Sequence, residues 1–152
     1  MNEVVREIIV LLQDGANRQS VSIRAELDGD VPTMSADRVQ IQQVLMNLML
    51  NAIEAMKEMA TPGKLTITTQ QDENRQILVS VSDTGIGLPP EQTGQIFDTF
   101  FTSKSQGTGM GLPISRSIIE SHGGRLWATS NSGPGATFRF TLPVEAAAVQ
   151  SA

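Results

Sequence analysis

The chain contains no cysteine and one histidine. The first absence excludes disulfide stapling and cysteine-ligated zinc, and the second excludes a metal centre built from several histidines. Basic residues are scarce too: 11 Lys and Arg against 16 Asp and Glu leave a net charge of −5, with no basic stripe. A phosphate backbone needs clustered Lys and Arg, so nucleic acid is excluded as the main partner. No apolar run approaches the roughly 20 residues that span a bilayer, and the first residues do not read as a signal peptide. The expected location is cytoplasmic, with no membrane contact by this domain, and is compatible with an anchor elsewhere in a full-length protein. What remains is ordinary for a soluble globular chain: 152 residues, 39% apolar and 18% charged, enough for one domain with a real core.

The informative residues lie between 83 and 112. Asp83-Thr-Gly-Ile-Gly87 and Gly107-Thr-Gly-Met-Gly111-Leu112 bracket a polar segment. Glycine lets backbone N–H groups approach a phosphate closely and tolerates positive φ. A carboxylate beside such a loop would repel phosphate, so Asp83 is expected to face something else, such as an exocyclic amine. Two common phosphate loops are excluded. A Walker loop ends in Gly-Lys-Ser/Thr, whereas Gly111 is followed by Leu112-Pro113, and the dinucleotide fingerprint needs G-x-G-x-x-G, whereas residues 107–111 read G-x-G-x-G. The pattern predicts a nucleotide site with separate base-reading and phosphate-covering parts.

Apolar spacing predicts a helix over residues 3–12. Val21, Ile23, Ala25 and Leu27 alternate as a strand, ended by Asp28-Gly29-Asp30. A second helix, capped by Ser35 or Asp37, runs to about Lys57 or Met59. Residues 65–69 and 77–81 predict an antiparallel pair joined by the polar run 71–74. Pro89-Pro90 opens a short helix toward Phe97. Pro113 suits the first turn of a helix over 112–121, which Gly123-Gly124 ends. Residues 125–130 and 136–142 form a hairpin around Gly133-Pro134-Gly135, and residues 144–152 are a frayed tail beyond a single domain of residues 1–143. The order predicts an α/β two-layer sandwich, one mixed sheet with helices over one face and the other face partly exposed.

On the second helix, Ile41, Leu45, Leu48, Ala52 and Ala55 form the apolar stripe. Asn47 and Asn51 lie one turn apart on a neighbouring face, with Glu54 beyond. Asparagine is a poor helix-interior residue, and two at this spacing suggest amide oxygens turned toward a hydrated Mg²⁺ on nucleotide phosphates. Neutral oxygen ligands with retained waters suit that ion.

Together these residues resemble the ATP-binding domain of sensor histidine kinases, in the superfamily of gyrase, heat-shock chaperone and mismatch-repair ATPases with the Bergerat-type fold. QVLMNLMLNAIEAM (43–56) resembles the asparagine box, DTGIGLP (83–89) the first glycine box, and IFDTFFTSK (96–104) the phenylalanine box and lid. GTGMGLPIS (107–115) resembles the second glycine box, followed by SHGGRL (121–126) and GPGATFRFTLP (133–143). The resemblance spans residues 2–143, and NAIEAM with FFTSK is most similar to the nitrogen-regulatory and oxygen-sensing subgroup.

The resemblance implies that Asp83 accepts a hydrogen bond from the adenine amino group, with Thr137 and a water nearby. It implies that Gly85 and Gly87 pass close to base and sugar, and that Asn51 is the Mg²⁺ ligand, with Asn47 beside the phosphates. Lys104, Gly107, Thr108, Gly109, Gly111 and the helix start at Leu112 would cover the phosphates of ATP, with Phe97 and Phe100 anchoring the lid. The implied activity is that of a protein-histidine kinase (ATP:protein-L-histidine phosphotransferase). Its partners would be a histidine-bearing dimerisation domain and a downstream response regulator, and the isolated domain is expected to be a monomer.

Two departures stand out. Glu54 occupies a position where many relatives carry a phosphate-binding Lys or Arg, leaving Lys57 or Lys104 to supply the charge. Pro113 replaces a small or hydroxylic residue but fits a helix start. His122, in Ser-His-Gly-Gly at a helix end, suits a cap better than a phosphoacceptor. The chain is thus expected to be the catalytic half of a larger kinase, unable to phosphorylate itself. A stand-alone anti-sigma-type serine kinase is disfavoured because its box opens on a glutamate base where Asn47 stands. A non-catalytic nucleotide-binding scaffold has only Glu54 in its support.

Overall fold

The computed structural model describes residues 1–28, 37–57, 59, 61–71, 76–87, 111–131 and 133–143. Helix α1 covers Asn2–Arg18, six residues beyond the predicted end. Val4, Val5 and Ile8 bury its first turns as the spacing predicts, and Ala16 is fully buried and holds the last turn on the core. Gly15 therefore sits inside the helix rather than ending it. Nothing lies within 4 Å of a Cβ added there, so the position has no steric need for glycine. Gly15→Ala is expected to stabilise the fold by about 0.5–1 kcal/mol through lower unfolded-state entropy. A calorimetric melt should rise by roughly 1–4 °C, and a fall would mean that this turn is not helical in solution.

The five strands are β1 (Val21–Leu27), β2 (Gly63–Gln71), β3 (Gln76–Ser82), β4 (Arg125–Ser130) and β5 (Ala136–Pro143). They form one sheet in the order β1-β2-β3-β5-β4. β1 and β2 are parallel, a pairing that needs a crossover, and α2 (Arg38–Met56) provides it; the other pairs are antiparallel. Three helices among the described residues, α1, α2 and α3 (Gly111–Ser121), complete a mixed α/β two-layer structure of the predicted class.

Period-two alternation divides the sheet cleanly. Leu65, Ile67, Ile77, Val79, Val81, Phe138, Phe140 and Leu142 are buried in the core with the α2 stripe. The opposite row at the same register is polar: Thr66 faces Ser82, Ser82 faces Thr137, and Thr137 faces Thr129. On α2, Ile41, Leu45, Leu48 and Ala52 are buried as expected, and Val44, Met49, Ile53 and Met56 widen the stripe. Each fully buried aliphatic side chain contributes about 1.5–3 kcal/mol relative to exposure. Ala55 departs from the stripe and meets the loop after β3 instead.

Asp37, one of the two predicted caps, accepts from the backbone N–H groups of Val39 and Gln40 at 3.0 and 3.2 Å. Such a cap contributes roughly 0.5–2 kcal/mol. Arg38 next to it bridges Glu7 at 2.6 Å and Glu3 at 3.3 Å, joining α1 to the start of α2. Ser35, the helix after Pro89-Pro90, the middle of the 71–74 connection and the 144–152 tail lie outside the described residues.

Candidate nucleotide-binding site

Ile77, Val79 and Val81 of β3 point under the helices, and Asp83 continues that parity one step past the strand. Its carboxylate therefore lands on the covered side of the sheet, only 2% exposed. A charge buried there is costly unless hydrogen-bonded. Oδ1 of Asp83 accepts from the backbone N–H of Gly85 at 2.8 Å and of Ala136 at 3.3 Å, and the Asp83 N–H donates to the Ala136 carbonyl at 3.0 Å. These two bonds orient the carboxylate against the loop and β5.

The loop after Asp83 rests on the end of α2. The Ile86 N–H donates to the Ala55 carbonyl at 3.2 Å. A Cβ on Gly85 would overlap that carbonyl, lying 2.6 Å from its carbon, so only glycine lets loop and helix meet this closely. Gly87 follows with φ +77°, and Ile86 is left 65% exposed at the rim.

Asn47 and Asn51 project from α2 as half-buried side chains on successive turns. Asn47 Nδ2 donates to the Gly111 carbonyl at 3.3 Å and to Ser115 Oγ at 3.1 Å. A carbonyl only accepts, so this contact fixes the amide nitrogen toward α3 and its oxygen toward the opposite side. Asn47 thus fastens the first turn of α3, where Gly111 and the half-buried Leu112 lie, against the helix bearing Asn51. Ser115, fully buried, is a partner that motif reading missed. Among the described residues no cluster of three His, Asp or Glu side chains could hold a metal, so a cation here would rely on neutral amide oxygens, water and the ligand's own phosphates, the donor set that suits Mg²⁺.

Thr137 requires a correction. It was expected beside the base, but it lies on the outer face of the sheet, opposite Asp83's carboxylate. Its hydroxyl contacts Ser82 Oγ at 3.0 Å and Asn131 Oδ1 at 2.6 Å. The residue that meets Asp83 is Ala136, one position earlier. Strand parity is the cause: Phe138 and Phe140 face the core, so Ala136 does too and Thr137 cannot.

Lys57 is ion-paired with Glu54 at 3.7 Å, both about a third exposed. Its charge is thereby shared with the residue whose effect it was expected to replace. His122 is bonded at both ring nitrogens: Nδ1–H donates to the Ile118 carbonyl at 2.8 Å, and Nε2 accepts from the Asp37 N–H at 3.1 Å. These contacts make the ring a helix-end tie. Lys104, Gly107, Thr108, Gly109, Phe97 and Phe100 lie outside the described residues.

The comparisons agree with this fold. The family described as histidine kinase-, DNA gyrase B- and HSP90-like ATPases matches residues 36–146. The sensor protein FixL of Bradyrhizobium diazoefficiens is 49% identical over 143 residues, covering 94% of this chain and 28% of FixL. The chain thus spans little more than a quarter of that relative. The nucleotide-free catalytic domain of the histidine kinase ThkA superposes with a TM-score of 0.85 at 41% identity, over 95% of this chain and 93% of that one. ThkA in complex with the response regulator TrrA gives 0.79 at 38% identity, over 94% of this chain and 40% of that one.

Proposed function

Because the chain belongs to the histidine kinase-, DNA gyrase B- and HSP90-like ATPase family, we propose that it is the ATP-binding catalytic domain of a sensor histidine kinase. On this reading it presents the γ-phosphate of ATP to a histidine on a separate dimerisation helix. The observation that carries the proposal is the buried Asp83 carboxylate, aimed by two backbone donors beside a glycine loop seated on α2. A fixed acceptor of this kind selects the amino group of adenine and repels the carbonyl of guanine.

At the other end, Asn51 would ligate Mg²⁺ and Asn47 would stand beside the phosphates while holding α3. The first turn of α3 at Gly111 and Leu112 would offer its dipole, with Lys104, Gly107, Thr108 and Gly109 closing over the phosphates. Phosphoryl transfer rests on positioning and electrostatics. Asn47 stands where a base would be needed and cannot serve as one, which favours an acceptor whose own histidine is the nucleophile. His122, engaged at both nitrogens, is poorly suited to that role. The ThkA–TrrA complex supports a response regulator as the downstream partner.

The test is a calorimetric titration with a non-hydrolysable ATP analogue, with and without Mg²⁺, against a GTP analogue. Adenine-selective, Mg²⁺-enhanced binding is expected. Asn51→Ala should weaken the Mg²⁺-dependent component at least about 10-fold and leave Mg²⁺-free binding near wild type. With labelled ATP, the chain alone should gain no acid-labile phosphate, whereas a kinase dimerisation helix supplied in trans should. Acid-stable phosphoserine on a partner protein would replace this reading with the serine-kinase one.

A further inference from the structure

Asn131 belongs to none of the sequence motifs, yet its side chain binds four partners. The two hydrogens of Nδ2 are shared among the Asp83 carbonyl at 2.9 Å, the Pro134 carbonyl at 3.3 Å and Ser82 Oγ at 3.4 Å, while Oδ1 accepts from Thr137 at 2.6 Å. Its backbone N–H donates to Gly135 at 3.1 Å, closing the turn between β4 and β5. The partners come from β3, the turn and β5, so one amide joins three segments behind the loop that starts at Asp83.

The placement is unusual in one respect. Ser82 and Thr137 mark the outer face of the sheet, whereas the Asp83 carboxylate is on the covered face. Asp83 lies just past the last residue of β3, and its N–H makes a final ladder bond to Ala136. Its carbonyl turns outward and is received by Asn131. Nothing separates the turn from the loop: a Cβ on Gly135 would overlap the Asp83 carbonyl oxygen, and one on Gly87 would lie 3.2 Å from the Gly135 oxygen. A peptide plane gripped from the outer side in this way sets the direction of the side chain on the inner side.

We infer that Asn131 is a positioning residue for base recognition, setting adenine selectivity through Asp83 without touching the nucleotide. The inference rests on the ATP reading above and adds to it a determinant outside the pocket. Asn131→Asp keeps the shape and removes both donors, placing an acceptor against the Asp83 and Pro134 carbonyls. Thr137→Val is the milder second variant, since it frees Asn131 Oδ1 while keeping a β-branched strand residue.

The experiment measures dissociation constants for ADP and GDP, with and without Mg²⁺, alongside the melting temperature. Asn131→Asp is expected to lower the ADP-over-GDP preference about 2- to 10-fold, the range of one neutral hydrogen bond. The enhancement by Mg²⁺ should be unchanged, because the phosphate end is held by Asn47 and α3. Thr137→Val should shift the preference in the same direction by less, and it carries the test if Asn131→Asp does not fold. Equal losses for ADP and GDP, or wild-type selectivity in both variants, would overturn the inference while leaving the ATP reading intact. Wild-type protein that does not prefer ADP would overturn both.

Discussion

Asp83→Asn is expected to weaken binding of an ATP analogue roughly 10- to 150-fold, the equivalent of losing a hydrogen bond to a charged acceptor of about 1.5–3 kcal/mol. The substitution is chosen because the fold should survive it. An asparagine oxygen in place of Oδ1 can still accept from Gly85 and Ala136. Its amide nitrogen then replaces the other carboxylate oxygen and points a donor at the donor on adenine. The same exchange offers a partner to the carbonyl of guanine, so the GTP analogue should lose much less and the preference should narrow or invert. Calorimetry with both analogues decides it, with circular dichroism confirming an unchanged fold. Undiminished adenine selectivity would remove Asp83 from base recognition.

Gly135→Ala is expected to do more general damage. Its φ is +99°, a conformation that costs a side-chain-bearing residue about 1–2 kcal/mol. The added Cβ would also overlap the Asp83 carbonyl and approach Thr84 Cα at 2.8 Å. Both neighbours are backbone, so relief requires moving the turn or the loop, at a further cost of about 1–3 kcal/mol. Urea denaturation should show a loss of roughly 2–5 kcal/mol. Nucleotide affinity should fall as well, because the displaced atoms carry the Asp83 carboxylate. Wild-type stability would mean that the turn stands further from the loop than the structure places it.

Much of this was readable beforehand, for identifiable reasons. Alternation in residues 77–81 and 136–142 placed β3 and β5 because half-buried strands have period two. Asp37 was recognisable as a cap because its side chain acts two and three residues ahead. The end of α1 lies beyond the predicted one because the apolar run stops at Leu12, and the contact that carries the helix on, buried Ala16, is tertiary. The outward placement of Thr137 is itself legible in strand parity: a core-facing Phe138 puts its neighbour on the other face. Asn131 and Ser115 were not readable. Their partners Asp83 and Asn47 lie 48 and 68 residues away, and a lone Asn or Ser in a turn or helix carries no trace of such a partner.

The ties at the two ends of α3 have a mechanical meaning. Asn47 grips its first turn from the middle of α2, and His122, just past its last residue, takes the N–H of the residue that caps α2. A helix held at one end behaves as a hinged lever, whereas one held at both ends behaves as a built-in beam. A pull on Gly111 would not swing α3 but load it, and the load would pass through His122 into the start of α2. The two helices thus form a closed frame, which continues through Arg38 to the carboxylates of α1.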